Sequence, residues 1–168
     1  GVHGNYLVRA RPESLADHLL PFLASRGFTG AGGVDYRSGN YVANTRAKFL
    51  QQERGGSTFR MRALHSTGRD EPLTSRPAVY GYRLHTLTDD GVRSQFSFLL
   101  QHGPMALVAK AVSEAPELIT PLPVTPSETK GQRAYWLRVL QKWNHLASPG
   151  EPPQFPSWAR RLQRLYLS

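Results

Sequence analysis

Apolar positions change their spacing along the chain, and each change marks an element. Residues 5–10 hold the short run Tyr6-Leu7-Val8 closed by Arg9, which reads as a first strand. Pro12 and Ser14-Leu15-Ala16-Asp17 then make a helix start, after which Leu15, Leu19, Leu20, Phe22 and Leu23 recur at helical spacing. Pro21 predicts a kink in that helix. Gly27 predicts its end, because a residue without a β-carbon enters the left-handed region cheaply. Over 29–39 glycines are interleaved with Asp35, Tyr36 and Arg37, a surface-loop composition able to close over a ligand.

Tyr41, Val42, Ala43 and Asn44 read as a brief strand, and Thr45 as the cap of a helical segment over 46–54 stopped by Gly55-Gly56. Residues 58–64 alternate, with Phe59, Met61 and Ala63 opposite Arg60 and Arg62, so a half-buried strand with two arginines on its open face is predicted. Residues 78–87 and 92–101 read as the arms of a hairpin turning at Asp89-Asp90-Gly91. His102-Gly103-Pro104 then interrupts the chain before a helical 105–115. Pro116, Pro121, Pro123 and Pro126 predict an extended connector. Beyond it Trp136, Val139, Leu140, Trp143 and Leu146 form one helical stripe, and Ser157 caps a last short helix. The pattern is that of an α+β fold, one domain over 1–168 with a mostly antiparallel sheet, flanking helices and a helical C-terminal region. Residues 1–115 form its α/β core, 116–130 a Pro-rich connector and 131–168 a basic helical region.

Composition narrows the chemistry. With 39% hydrophobic residues the 168-residue chain can bury a core of its own. A net charge of +9 favours acidic protein surfaces, nucleotides, nucleic acid or anionic lipid. The absence of cysteine removes disulfides, thiolate nucleophiles and cysteine-bound zinc. No apolar run is long enough for a membrane span. The chain opens at Gly1 with only internal methionines, and is read as an excised domain whose targeting segment has been removed. His3, His18, His65, His85, His102 and His145 lack the paired spacing of zinc enzymes, so no metal site is expected. Neither a Gly-x-Ser-x-Gly elbow nor a P-loop is present.

The order strand with arginine, helix, Gly-Phe, glycine-rich loop and Tyr-Val strand resembles the front half of mono-ADP-ribosyltransferase domains, as in secreted bacterial toxins and effectors. Arg9 matches the family's first-strand arginine, and Ala43-Asn44-Thr45 stands where the family has Ser-Thr-Ser. The resemblance implies an NAD site built by Arg9, Tyr41, Asn44 and Thr45, transfer of ADP-ribose to a protein, and secretion into a host cell. The family's late Glu-x-Glu or Gln-x-Glu pair is missing, since Glu114 and Glu117 have the wrong spacing. No catalytic residue is therefore assigned, and a domain acting by binding alone is implied. A second reading rests on charge. Lys130, Arg133, Arg138, Lys142, Arg160, Arg161 and Arg164 face only Glu151 in the C-terminal region, so a nucleic-acid-binding surface is the alternative. A module docking an acidic protein partner is the third.

Overall fold

Alternation makes the first element. In Gly4–Val8, strand β1, Tyr6 and Val8 turn toward the core while Asn5 and Leu7 turn away. Pro12 opens the helix that follows, since its fixed φ suits the first helical position and its missing N–H has no partner there to lose. The computed structural model describes residues 2–56, 61–65, 77–115 and 137–141, and this helix, α1, runs over Pro12–Ser25. Leu15, Leu19, Leu20 and Leu23 are its buried face. Its end does not use the expected glycine. Gly27 has no positive φ; instead Arg26 N–H donates to Leu23 O and Thr29 N–H to Arg26 O.

The loop that follows contains a small hairpin of Gly33–Val34 (β2) and Tyr41–Val42 (β3). The helix expected over 46–54 is one 3-10 turn, Ala47–Phe49, followed directly by strand β4, Gln52–Gly55. Strand β5, Arg62–His65, is buried along its whole length, so Arg62 is not on an open face as its alternation suggested. A short helix α2, Pro77–Tyr80, precedes strand β6, Tyr82–Thr86.

The predicted hairpin at Asp89-Asp90-Gly91 does not exist. β6 lies between β1 and β5 in a sheet of order β1-β6-β5-β4, antiparallel to both neighbours, with β4 and β5 parallel. Residues 95–101 instead begin helix α3, Gln95–Glu114, which runs through Gly103 and Pro104 without a break. Ser94 starts it by accepting the Ser97 N–H on its Oγ, a cap that outweighs the strand preference of Phe96 and Phe98. Pro104 cannot donate to Leu100 O, but the Arg26 guanidinium takes over as donor, so the helix survives its proline.

Helices α1 and α3 pack on one face of the sheet. Val8, Leu64 and Leu84 meet Leu15, Leu19, Leu23, Met105 and Val112 there, joined by Val139 and Leu140 from a helical turn at 137–141. The fold is α+β, as the pattern of apolar positions implies. The connector at 116–130 and the Trp136, Trp143, Leu146 and Ser157 assignments lie outside the described residues, as does 57–60. Among the described residues no helix is long and apolar enough to cross a membrane.

Candidate functional site

Strand register assembles a polar row on the sheet face turned away from α1 and α3. Asn5 pairs with His85, His85 with His65, and His65 with Gly55, so one rung crosses all four strands. Residues in one rung share a face, which brings imidazoles twenty residues apart in the chain into contact. The His65 and His85 rings stack at 5.5 Å with 7° between their planes. His3, just before β1, closes on the other side of His85, its Nδ1 lying 3.0 Å from His85 Nε2 in a shared hydrogen bond. Arg83 flanks the row and donates from Nε to Asn5 Oδ1 at 2.7 Å.

This row sits in a positive field. Burial first, then Arg83, His3, His65 and Arg62, lower the His85 pKa to about 4. Burial, Arg46, the N-terminus, Arg83 and Arg62 lower that of His3 as well. Both rings are therefore neutral at pH 7, and each can donate or accept a hydrogen bond. Arg46 is itself buried, and burial lowers its pKa against the opposing pull of Asp90 and Asp89. Its Nε, and the Nδ1 of His85, are buried without a hydrogen-bond partner among the described residues. A buried donor left unpaired costs about 1–3 kcal/mol, so these atoms suit a ligand with acceptor oxygens.

Behind the row lies an acidic hub. Asp90 accepts the Thr45 N–H on Oδ2 at 2.6 Å and the Thr45 hydroxyl on Oδ1 at 2.8 Å, while its backbone oxygen accepts from Gln101 Nε2 of α3. Gly30 is packed so closely on Asp90 that a β-carbon there would lie 2.5 Å from Asp90 Cβ. Asp89 is buried, and that burial raises its carboxyl pKa against the opposing effects of Thr88, Arg26 and His102. Tyr6, hydrogen-bonded to His102 Nδ1 at 2.9 Å, is pushed up to about 12 by its own burial and then by the Asp89 charge.

The residues expected to bind NAD are not one cluster. Asn44 is buried, donating from Nδ2 to Gly27 O and Thr88 O and accepting the Arg46 and Ala47 N–H groups on Oδ1. It, and not Thr45, caps the 3-10 turn. The Tyr41 hydroxyl donates to Ala31 O at 2.6 Å and braces the glycine-rich loop. Arg9 lies past the far end of β1, where its N–H donates to Ser113 Oγ. The hub meets the other end of the strand, where Val2 N–H donates to Asp89 O, so a strand length of roughly 20 Å separates Arg9 from Thr45. Among the described residues no His, Cys, Asp or Glu group could hold a metal ion.

Comparison with known proteins decides the family. The model of the Pup-ligase protein family matches residues 1–130. The chain belongs to that family. It is 36% identical to the Pup–protein ligase of Bifidobacterium dentium over 118 residues, which cover 68% of this chain and 23% of that protein. The Pup–protein ligase of Renibacterium salmoninarum is 34% identical over 119 residues, covering 68% of this chain and 25% of that protein. That of Acidimicrobium ferrooxidans is 36% identical over 119 residues, covering 68% and 26%. The chain thus spans about a quarter of the length of these relatives. No solved structure matches it.

This membership overturns the resemblance to ADP-ribosyltransferases, which rested on residue types common to many strand-helix-strand units. The toxin and effector role, NAD as cofactor and secretion into a host cell fall with it, and nucleic acid loses its support as a partner. Sequence reasoning passed over His3, His65 and His85 because it looked for metal-ligand spacing within one segment. Their common signal is placement on or beside strands, and only the register turns that into a cluster.

Proposed function

We propose that this chain supplies the sheet and one wall of the reaction centre of a Pup–protein ligase, with ATP as cosubstrate and with Pup and its target protein as partners. The match over residues 1–130 carries the reading. A carboxylate does not condense with an amine in water unless its oxygen is made a leaving group, and ATP supplies that by phosphoryl transfer. The chemistry asks the protein for cations that hold phosphate oxygens as charge develops. Arg46, Arg62 and Arg83 with His3 and His85 are the residues that fit, since their fields overlap and Arg46 Nε and His85 Nδ1 are buried without partners among the described residues. Arg46 would meet phosphate, and the neutral imidazoles would donate to oxygens or hold a proton near the reacting groups.

The test is a chimera. Residues 1–130 of this chain replace the matching segment of the Bifidobacterium dentium ligase, and ATP-dependent conjugation of Pup to a target protein is measured. A working chimera that loses at least about tenfold in rate on Arg46→Lys and on His85→Ala is expected. A chimera that folds, as judged by circular dichroism, but conjugates nothing refutes the proposal.

A further inference from the structure

Every hydrogen bond that Asp90 makes among the described residues could be made by an asparagine. Its side-chain oxygens accept the Thr45 N–H and hydroxyl, and an amide would accept the first on its oxygen and donate to the second from its nitrogen. The bond from Gln101 Nε2 goes to the Asp90 backbone oxygen and does not depend on the side chain. The position is nevertheless a buried carboxylate, which costs more to remove from water than an amide does unless a cation faces it. That cation is Arg46, the residue after Thr45. It is buried too, and its Nε has no hydrogen-bond partner among the described residues. Of the groups that sustain its charge against burial, Asp90 acts most strongly, ahead of Asp89.

We propose that Asp90 is a positioning residue: its carboxylate holds the Arg46 guanidinium charged and in place beside the histidine row, and thereby sets how tightly the reaction centre takes the phosphates of ATP. The inference rests on the reading of Arg46 as the group that meets phosphate. Asp90 is itself fixed on three sides. Thr45 grips the carboxylate, Gln101 grips the backbone, and Gly30 packs so closely that no β-carbon fits between the two loops, while the Ala31 N–H donates to Gly91 O at 2.8 Å. Arg62 repels Arg46, so an attraction that is both strong and immobile decides where the guanidinium rests. Asp89 is less suited to that task, because burial disfavours its own charge and it acts on Arg26 and His102 as well. Arg46 in turn, after burial, is the largest influence lowering the His3 pKa, so its charge reaches the row.

The chimera that carries residues 1–130 in the Bifidobacterium dentium ligase tests this through rates at varied ATP. Asp90→Asn should raise KM for ATP at least about tenfold while KM for the target protein stays within about twofold, a split that a general loss of structure would not give. In an Arg46→Met background, where no guanidinium is left to position, Asp90→Asn should change KM for ATP by less than about twofold. The whole chain by itself supplies a second measurement. Asp90→Asn should lower its urea midpoint, and Arg46→Met added to it should raise the midpoint again, since the buried cation left without its partner is then gone. The inference is overturned by a KM for ATP that Asp90→Asn does not move, by a KM for the target protein that rises equally, by effects of the two substitutions that multiply, or by a midpoint that Arg46→Met lowers further. A folded chimera that conjugates nothing, or one whose KM for ATP is unmoved by Arg46→Met, overturns the reading of Arg46 beneath it and this inference with it.

Discussion

Asn44 holds three segments together with one side chain, and replacing it measures what the hub contributes. It is 1% exposed. Its Nδ2 reaches Gly27 O at 3.0 Å, after α1, and Thr88 O at 2.9 Å, after β6. Its Oδ1 accepts from Arg46 N at 3.0 Å and Ala47 N at 2.9 Å, starting the 3-10 turn. Asn44→Ala leaves two carbonyls and two N–H groups unpaired in a space too small to rehydrate them all. At about 1 kcal/mol net per bond the loss is about 3–5 kcal/mol, a large part of the roughly 5–15 kcal/mol that holds a domain together. For a chain of this length each kcal/mol moves the melting temperature by about 2–4 °C, so a fall of about 10 °C is expected by circular dichroism. Asn44→Asp separates the two halves of the argument. It keeps the acceptor but turns a carboxylate oxygen toward two carbonyls beside Asp90. Its carboxyl is then pushed above the normal range, so the variant is least stable at neutral pH and recovers as acid protonates it. An Asn44→Ala protein within about 1 kcal/mol of the parent in urea unfolding, or an Asn44→Asp protein equal to it at pH 7, would refute the reasoning.

Protonation of His85 tests the positive field. Its folded pKa of about 4 lies below the ordinary 6.5, so the unfolded chain binds the proton more tightly between these values. Its contribution is full above pH 6.5 and is lost as pH falls toward 4. After discounting for water around the row it amounts to about 1–2 kcal/mol. His85→Asn should flatten this part of the stability profile in urea titrations at stepped pH. Asp89, raised by burial, acts with the opposite sign but is present in both proteins and cancels in their difference. Profiles that stay parallel from pH 7 to about 4 would count against the field. At α3, Arg26→Met leaves Leu100 O without its donor and should cost about 1–3 kcal/mol. In a Pro104→Ala background, where the backbone supplies an N–H, the same change should cost less than half as much, and equal losses would separate Arg26 from the proline.

Much of the fold was legible because period and burial agree where one face of an element is covered. β1 and α1 were found within a residue or two, since Val8 and the leucines of α1 all turn to one core. The hairpin at 89–91 was misread for a physical reason. Asp89-Asp90-Gly91 has turn chemistry, and Phe96 and Phe98 favour strands, but the two aspartates are buried as the hub rather than exposed at a hairpin tip. The cap at Ser94 then starts a helix whose outer face is as apolar as its inner one, so periodicity has nothing to show. The strand read over 58–64 was taken as half-buried, where β5 is buried throughout, for a related reason. A central strand buried on both faces need not alternate, and Arg62 and His65 are buried in it beside Ala63 and Leu64.

The candidate site was the least legible part, because its members meet only through pairing between distant strands. Arg9 and Thr45 were joined by chain order, yet Arg9 follows the end of β1 while Thr45 is held by Asp90, next to the Asp89 that meets Val2 before the start of that strand. His65 and His85 have no local link, yet one antiparallel register stacks them. The energetics explain how such a row is held together. Two protonated imidazoles at 5.5 Å would repel, and burial keeps the His85 ring neutral instead. The arginines cannot neutralise in this way, so Asp89 and Asp90 oppose the burial of Arg46 from behind, and Asn5 receives Arg83 from the side. The His85 pKa is lowered first by burial and then by the neighbouring charges of Arg83, His3, His65 and Arg62. What the row leaves open is narrower than its charge: Arg46 Nε and His85 Nδ1 are buried without hydrogen-bond partners among the described residues, and an acceptor oxygen placed between them would remove that cost.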